Sequence, residues 1–202
     1  MLPQNCSNYR QQNQPFWHSR GYLPHYNEQE KSQMITYRLN DSLPESVLAD
    51  LTTQLEHVSP NVRQIERYRR IEQYLDQGAG SCALSNPSIA QLVEDNLRYF
   101  DNKNYKLHAW VVMPNHVHVL ITPNDDITLY RIIQSWKSYT AKKANASLGT
   151  SGEFWQREYF DRMIRNEKHY MNAVAYIHTN PVKARLCKHP SEWSFGSARY
   201  FL

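Results

Sequence analysis

The stretch Trp110-Val-Val-Met-Pro-Asn-His-Val-His-Val-Leu-Ile-Thr122 decides the fold. It reads as two strands, 106–113 and 116–122, joined by Pro114-Asn115. Val, Ile and Trp favour a half-buried pleated surface, and Pro-Asn is turn chemistry. Side chains alternate along a strand, so His116 and His118 project from one face and Val117 and Val119 from the other. Taken alone, His-x-His has two readings: satisfied histidines on a strand, or two ligands of one divalent metal. Neutral imidazole is the commonest metal ligand, and a third donor must then come from elsewhere in the chain.

Upstream of the hairpin, residues 33–39 read as a strand. Ser42 is placed to cap a helix, with Pro44 in its first turn, Glu45 at the capping-box position and Val47, Leu48, Leu51 and Leu55 as its apolar stripe. Pro60 ends that helix, and residues 63–77 form a second one with a charged face (Arg63, Glu66, Arg67, Arg70). A third helix starts at Pro87 and ends near Phe100. Downstream, Leu129, Ile132, Ile133 and Trp136 line a helix over 127–146, residues 159–164 form a strand, and Asn166 caps a helix over 167–179 that Asn180-Pro181 stops.

Consecutive runs of this kind predict an α+β fold with an antiparallel, ferredoxin-like sheet and helices packed on it. The organisation follows: an N-terminal arm over 1–30, a domain over 31–181 with a helical insertion at about 60–85, and a C-terminal tail over 182–202 packed through Trp193, Phe195 and Tyr200. In the arm, Phe16, Trp17, Tyr22 and Tyr26 offer packing surface.

Composition sets the outer limits. A chain of 202 residues with 41% hydrophobic positions can bury a sizeable core. No apolar run approaches the roughly 20 residues that span a bilayer, and Met1 to Cys6 lacks the basic-then-apolar pattern of a secretory signal. Cys6, Cys82 and Cys187 are odd in number and far apart, which suits neither a disulfide framework nor a zinc ribbon and points to the cytoplasm. The net charge of +4 is uneven: residues 127–202 hold 12 Lys or Arg against 5 Asp or Glu, and residues 1–126 hold 11 against 14. A basic half behind the histidine pair suits a phosphate-bearing partner, although any one of these cations reads equally well as a solvated charge.

The last helix adds a second polar group. Tyr170, Ala173, Val174 and Ile177 make its stripe, Tyr176 lies on the flank, and Asn180 follows one turn later on the same side. On their own, Tyr176 reads as a boundary tyrosine and Asn180 as a helix-end residue, while Trp155, Tyr159 and Tyr170 suit core packing.

Four motifs together carry a family resemblance: Trp110 to His118, Ser135-Trp-Lys-Ser-Tyr-Thr-Ala-Lys-Lys143, Phe154-Trp-Gln-Arg-Glu-Tyr-Phe-Asp161 and Tyr176-Ile-His-Thr-Asn-Pro-Val-Lys-Ala184. In this order they resemble the single-tyrosine HUH transposases, most closely the REP-associated tyrosine transposase branch. The resemblance runs from about residue 30 to Tyr200, leaving the arm and the 60–85 segment unmatched. It implies that Tyr176 on the last helix is the nucleophile and that His116, His118 and Asn180 hold a divalent metal, Mg2+ or Mn2+. It further implies a metal-dependent endonuclease and transesterase that cuts and rejoins single-stranded DNA beside a hairpin or palindromic element, through a 5′-phosphotyrosine bond. Lys137, Lys142, Lys143, Arg157, Arg162 and Arg165 are then the expected phosphate contacts, and Trp155 or an aromatic of the arm a stacking surface. The protein would be cytoplasmic, associated with the nucleoid when on DNA, and without a membrane partner. The tail after Asn180 points to a monomer, with a dimer sharing the tyrosine helix as the alternative. Two other readings stay open: a DNA-binding module of transposase descent that no longer cuts, and a hydrolase using a metal-activated water.

Overall fold

In the computed structural model, the described residues are 17–19, 24–26 and 31–201. In chain order the elements are β1 (Trp17–Ser19), β2 (Pro24–Tyr26), β3 (Gln33–Arg38), α1 (Glu45–Leu55), α2 (Pro60–Asp76), α3 (Pro87–Tyr99), β4 (Tyr105–Val112), β5 (His116–Pro123), α4 (Leu129–Leu148), β6 (Phe160–Met163) and α5 (Glu167–Lys183). β1 and β2 pair as a small antiparallel hairpin with Trp17 opposite Tyr26. Of the arm's other aromatics, Phe16 and Tyr22 lie outside the described residues.

The main sheet has the order β4-β5-β3-β6, and every neighbouring pair is antiparallel. With α3 and α4 as crossovers this is the expected ferredoxin-like α+β architecture. The alternation of β5 divides it into two faces. Val117, Val119 and Ile121 enter the main core with Ile35, Tyr37, Val93, Leu97, Ile133 and Trp136, so α3 and α4 cover that face. Leu120 points the other way, into a smaller cluster with Ala109, Val111, Met113, Ala173 and Ile177, so α5 covers the second face. His116 and His118 share that second face by the same alternation.

Capping residues fix the helix starts. Asn86 Oδ1 accepts from Ser88 N at 3.0 Å and begins α3, and Asn166 Oδ1 accepts from His169 N at 2.9 Å and begins α5. Gly149, at φ 65°, closes α4 in the left-handed conformation that suits glycine.

Three local expectations give way. Ser42 caps no helix: its hydroxyl donates to Leu39 O at 2.7 Å and receives Arg38 Nη1 at 2.9 Å, so it is spent on the turn after β3 and α1 starts uncapped at Glu45. Pro60 ends nothing; it is the first residue of α2, where its missing N–H costs no helical bond. Asn180-Pro181 does not stop α5, which runs on to Lys183. Pro181 removes one donor near the end of the helix, and Ala184 N to Asn180 O at 3.0 Å carries the last turn past it.

The tail seals one edge of the sheet. Val112 N donates to Phe195 O at 2.8 Å, Trp193 Nε1 donates to Val112 O at 3.0 Å, and Ser197 Oγ accepts from Trp110 N at 3.0 Å. These bonds satisfy polar groups that an outer strand otherwise leaves open to pairing.

Candidate active site

His116 and His118 leave β5 side by side, fully buried, with their Nε2 atoms 3.0 Å apart. Two partners orient the rings. Asn115 Nδ2 donates to Leu75 O at 3.2 Å and Ala79 O at 2.9 Å, which turns its Oδ1 toward His116 Nδ1 at 2.7 Å. An amide oxygen only accepts, so Nδ1 of His116 carries the proton and Nε2 presents its lone pair. Thr36 Oγ1, across the β3–β5 register, lies 2.7 Å from His118 Nδ1 and 3.0 Å from Tyr68 OH. Burial holds both imidazoles neutral: His116 is pushed down to about 3, and His118 well below its ordinary value, with His116 and Lys183 adding to the effect.

α5 brings the hydroxyl and the amide. Asn180 is fully buried and its Nδ2 lies 3.3 Å from His118 Nε2, while its Oδ1 is buried without a partner among the described residues. Tyr176 stacks edge-on against His118, ring centroids 5.2 Å apart, and Lys183 Nζ lies 4.8 Å over the tyrosine ring. The one-turn relation read from the sequence thus puts both groups against the histidine pair.

A further residue completes the cluster. Glu72 of α2 accepts the Tyr176 hydroxyl proton on Oε2, and that same oxygen lies 3.3 Å from His118 Nε2. Burial, with Asp76 nearby, raises Glu72 to about 7 against the pull of its hydrogen bonds with Tyr176 and Tyr68. Burial first, and then Glu72, drives the Tyr176 phenol far above its ordinary value. As it stands the nucleophile candidate is firmly protonated. No sequence signal marked Glu72, because an acidic residue on a helix with Arg67, Arg69 and Arg70 reads as one more solvated charge. Asn115 was visible, but only as a turn residue.

These donors fit a divalent cation. Two buried imidazoles, with the lone pair of His116 Nε2 turned into the cluster, a buried amide oxygen lacking a partner and a nearby carboxylate form a nitrogen and oxygen donor set that fits a divalent cation such as Mg2+ or Mn2+.

The expected nucleic-acid contacts separate into three groups. Lys142 and Lys143 on α4, Arg157 in the loop that follows, Arg162 on β6 and Arg165 before α5 are exposed. Lys137 is half-buried and donates to Gln156 O at 2.5 Å and Arg157 O at 2.7 Å, so much of its hydrogen-bonding capacity is used inside the fold. Trp155 offers no stacking surface: it is buried, its Nε1 donates to Thr140 Oγ1 at 2.9 Å, and Tyr37 meets it edge-on with centroids 4.8 Å apart.

The transposase IS200-like family model matches residues 86–180, a span that contains His116, His118, Tyr176 and Asn180 but not Glu72. A REP-associated tyrosine transposase of Escherichia coli strain K12 is 31% identical over 99 residues, covering 48% of this chain and 56% of that one. A putative REP-associated tyrosine transposase of Haemophilus influenzae is 27% identical over 99 residues, 44% of this chain and 56% of that one. The matches thus span just over half the length of these relatives. A solved structure of a REP-associated tyrosine transposase bound to a REP hairpin shares the fold, with a TM-score of 0.52 at 21% identity over 89% of this chain and 84% of that one. Residues 86–180 are thus similar to the IS200-like transposases, and the resemblance to REP-associated tyrosine transposases carried by the four motifs holds.

Proposed function

We propose that this protein is a metal-dependent DNA transesterase that nicks and rejoins single-stranded DNA beside a hairpin, through a covalent bond to Tyr176. The observation that carries this reading is the convergence of Tyr176, His116, His118 and Asn180 from β5 and α5. Tyr176 Oη attacks the phosphorus, a phosphotyrosine O–P bond forms, the P–O3′ bond breaks, and the leaving oxygen takes up a proton as a free 3′-hydroxyl. The product keeps its phosphoester energy, so attack by a 3′-hydroxyl reverses the step and joins strands. Glu72 Oε2 is the acceptor that holds the Tyr176 proton before attack. A divalent metal bound by His116, His118 and Asn180 would neutralise the phosphate's non-bridging oxygens and favour the phenolate.

The surroundings suit a nucleic acid. A groove of about 490 Å3 is lined by Thr36 and Glu72 together with Arg38, Arg67, Tyr68 and Phe160. Burial, and then the neighbouring Arg67, lower Arg38 to about 10, a strain that an anion between the guanidiniums would relieve. Lys142, Lys143, Arg157, Arg162 and Arg165 supply exposed positive charge for a phosphate backbone. The solved relative's REP hairpin supports a hairpin-bearing DNA as the partner here. The tail occupies the outer edge of β4, which leaves that edge closed to pairing with a second copy and is consistent with a monomer. Among the described residues no helix is long and apolar enough to cross a membrane.

The test is denaturing electrophoresis of the protein with end-labelled hairpin DNA and Mn2+, using DNA flanking the gene. A slow covalent adduct is expected with wild type and with neither Tyr176→Phe nor His116→Ala. Cutting that survives Tyr176→Phe would assign the chemistry to an activated water, and binding without cutting would make the protein a recognition module.

A further inference from the structure

We propose that Glu72, carried on a helix outside the family match, is a fourth donor of the metal site. The inference rests on the metal-dependent reading above. It starts from crowding at one atom. Three polar atoms approach His118 Nε2: His116 Nε2 at 3.0 Å, Glu72 Oε2 at 3.3 Å and Asn180 Nδ2 at 3.3 Å. A neutral imidazole nitrogen either donates one proton or accepts one, so it satisfies one of these neighbours and leaves the others unmatched. Donors bound to a common cation at about 2.1 Å in an octahedron stand roughly 3.0 Å apart, close to the distances of His116 Nε2 and Glu72 Oε2 from His118 Nε2, while the Asn180 amide turns its unpartnered Oδ1 to the same cluster only by rotating from its present contact.

Glu72 itself calls for positive charge. Its carboxylate is buried, Oε1 has no hydrogen-bond partner among the described residues, and its one ion-pair contact there is the His118 ring, itself a donor of the site. A buried carboxylate in this position is costly unless a cation faces it. The donors now bond to one another, and among the described residues no three His, Cys, Asp or Glu side chains already enclose a cation-sized gap. Binding therefore replaces the contacts among donors with contacts to the ion.

The fold holds α2 in place for this role. Asn115 bonds the carbonyls of Leu75 and Ala79 at the end of α2, Tyr68 stacks on Phe160 of β6 with centroids 3.7 Å apart, and Tyr68 OH meets Thr36 Oγ1. Gly80, at φ +86°, lets the following loop pass so close to Asp41 that a Cβ would meet the Asp41 carbonyl oxygen at 2.5 Å. One asparagine thus orients His116 and anchors the helix that bears Glu72.

The experiment is Mn2+ binding to the full chain without DNA, read by loss of the free-ion electron paramagnetic resonance signal. Wild type, Glu72→Gln, His118→Ala and Tyr176→Phe are compared. Glu72→Gln keeps the size of the side chain and an acceptor for Tyr176 but removes the charge. Expected is binding weakened about ten-fold or more in Glu72→Gln, and more in His118→Ala, with Tyr176→Phe close to wild type. Glu72→Gln within about two-fold of wild type, alongside weak binding by His118→Ala, would overturn the role of Glu72 and leave the transesterase reading standing. No Mn2+ binding by wild type would overturn both. The rise in melting temperature on adding Mn2+ gives a second readout, and Glu72→Ala is judged by the same criteria if Glu72→Gln does not fold.

Discussion

The two faces of the sheet are built from alternate residues of the same strands, yet they do different work. Beneath α3 and α4, β5 contributes Val117, Val119 and Ile121 to a dry core whose largest fully buried side chain is Trp136. Beneath α5 and α2, it contributes His116 and His118 to a polar cluster just as deeply buried. The first face gains its stability from apolar area removed from water, whereas the second must match each buried polar group to a partner and leaves Asn180 Oδ1 and Glu72 Oε1 without one. Rigidity on one side permits unsatisfied chemistry on the other.

Substitutions should separate the faces. The largest loss of stability is expected on the apolar side. Trp136→Ala empties the centre of the core and removes the bond from its Nε1 to Tyr105 OH, at 3.0 Å. It should cost about 3–5 kcal/mol in a denaturant titration. His118→Ala, equally buried, should abolish covalent DNA adduct formation while costing stability less than Trp136→Ala. Equal stability losses in the two variants would erase the distinction between the faces.

Asn115→Ala tests how the polar side is assembled. The change strips His116 Nδ1 of its acceptor and frees the carbonyls of Leu75 and Ala79. The expected cost is about 2–3 kcal/mol, because several buried groups lose partners at once. Faster amide hydrogen exchange should appear in the second half of α2 and not in α3. Unchanged exchange there would mean that the Tyr68–Phe160 stack alone holds α2 down.

How much of this was legible depended on the kind of signal. The period-2 pattern of 116–122 is local, so it placed both histidines on one face and the valines on the other. The one-turn spacing of Tyr176 and Asn180 is local as well. Glu72, Thr36 and the anchoring role of Asn115 are products of tertiary contact: they lie 46, 82 and 36 residues from the groups that give them meaning. The Ser42 cap failed because its hydroxyl found a nearer carbonyl, and the α5 stop failed because packing around buried Pro181 carries the helix past a missing donor. Trp155 sits in a motif shared with a DNA-processing family, yet its environment is that of a core residue.

The smallest effect concerns a cation at the border of the apolar side. Burial is the main reason that Lys137 drops to about 8, with Glu158 pulling it up and Arg38 pushing it down. From pH 8 to its ordinary value near 10.5, the unfolded chain holds a proton there that the folded chain has shed. The contribution of Lys137 to stability therefore rises with pH through that window, and its penalty is fully present below pH 8. Lys137→Met has no proton to lose at this position. The stability difference between the two proteins should shift toward wild type by on the order of 1–2 kcal/mol between pH 7.5 and pH 10, as part of the side chain keeps contact with water. Urea titrations at the two pH values measure it. A difference that stays constant would mean that the bonds from Nζ to the Gln156 and Arg157 carbonyls keep the ammonium charged, and that the border of the core tolerates charge as the histidine face does not.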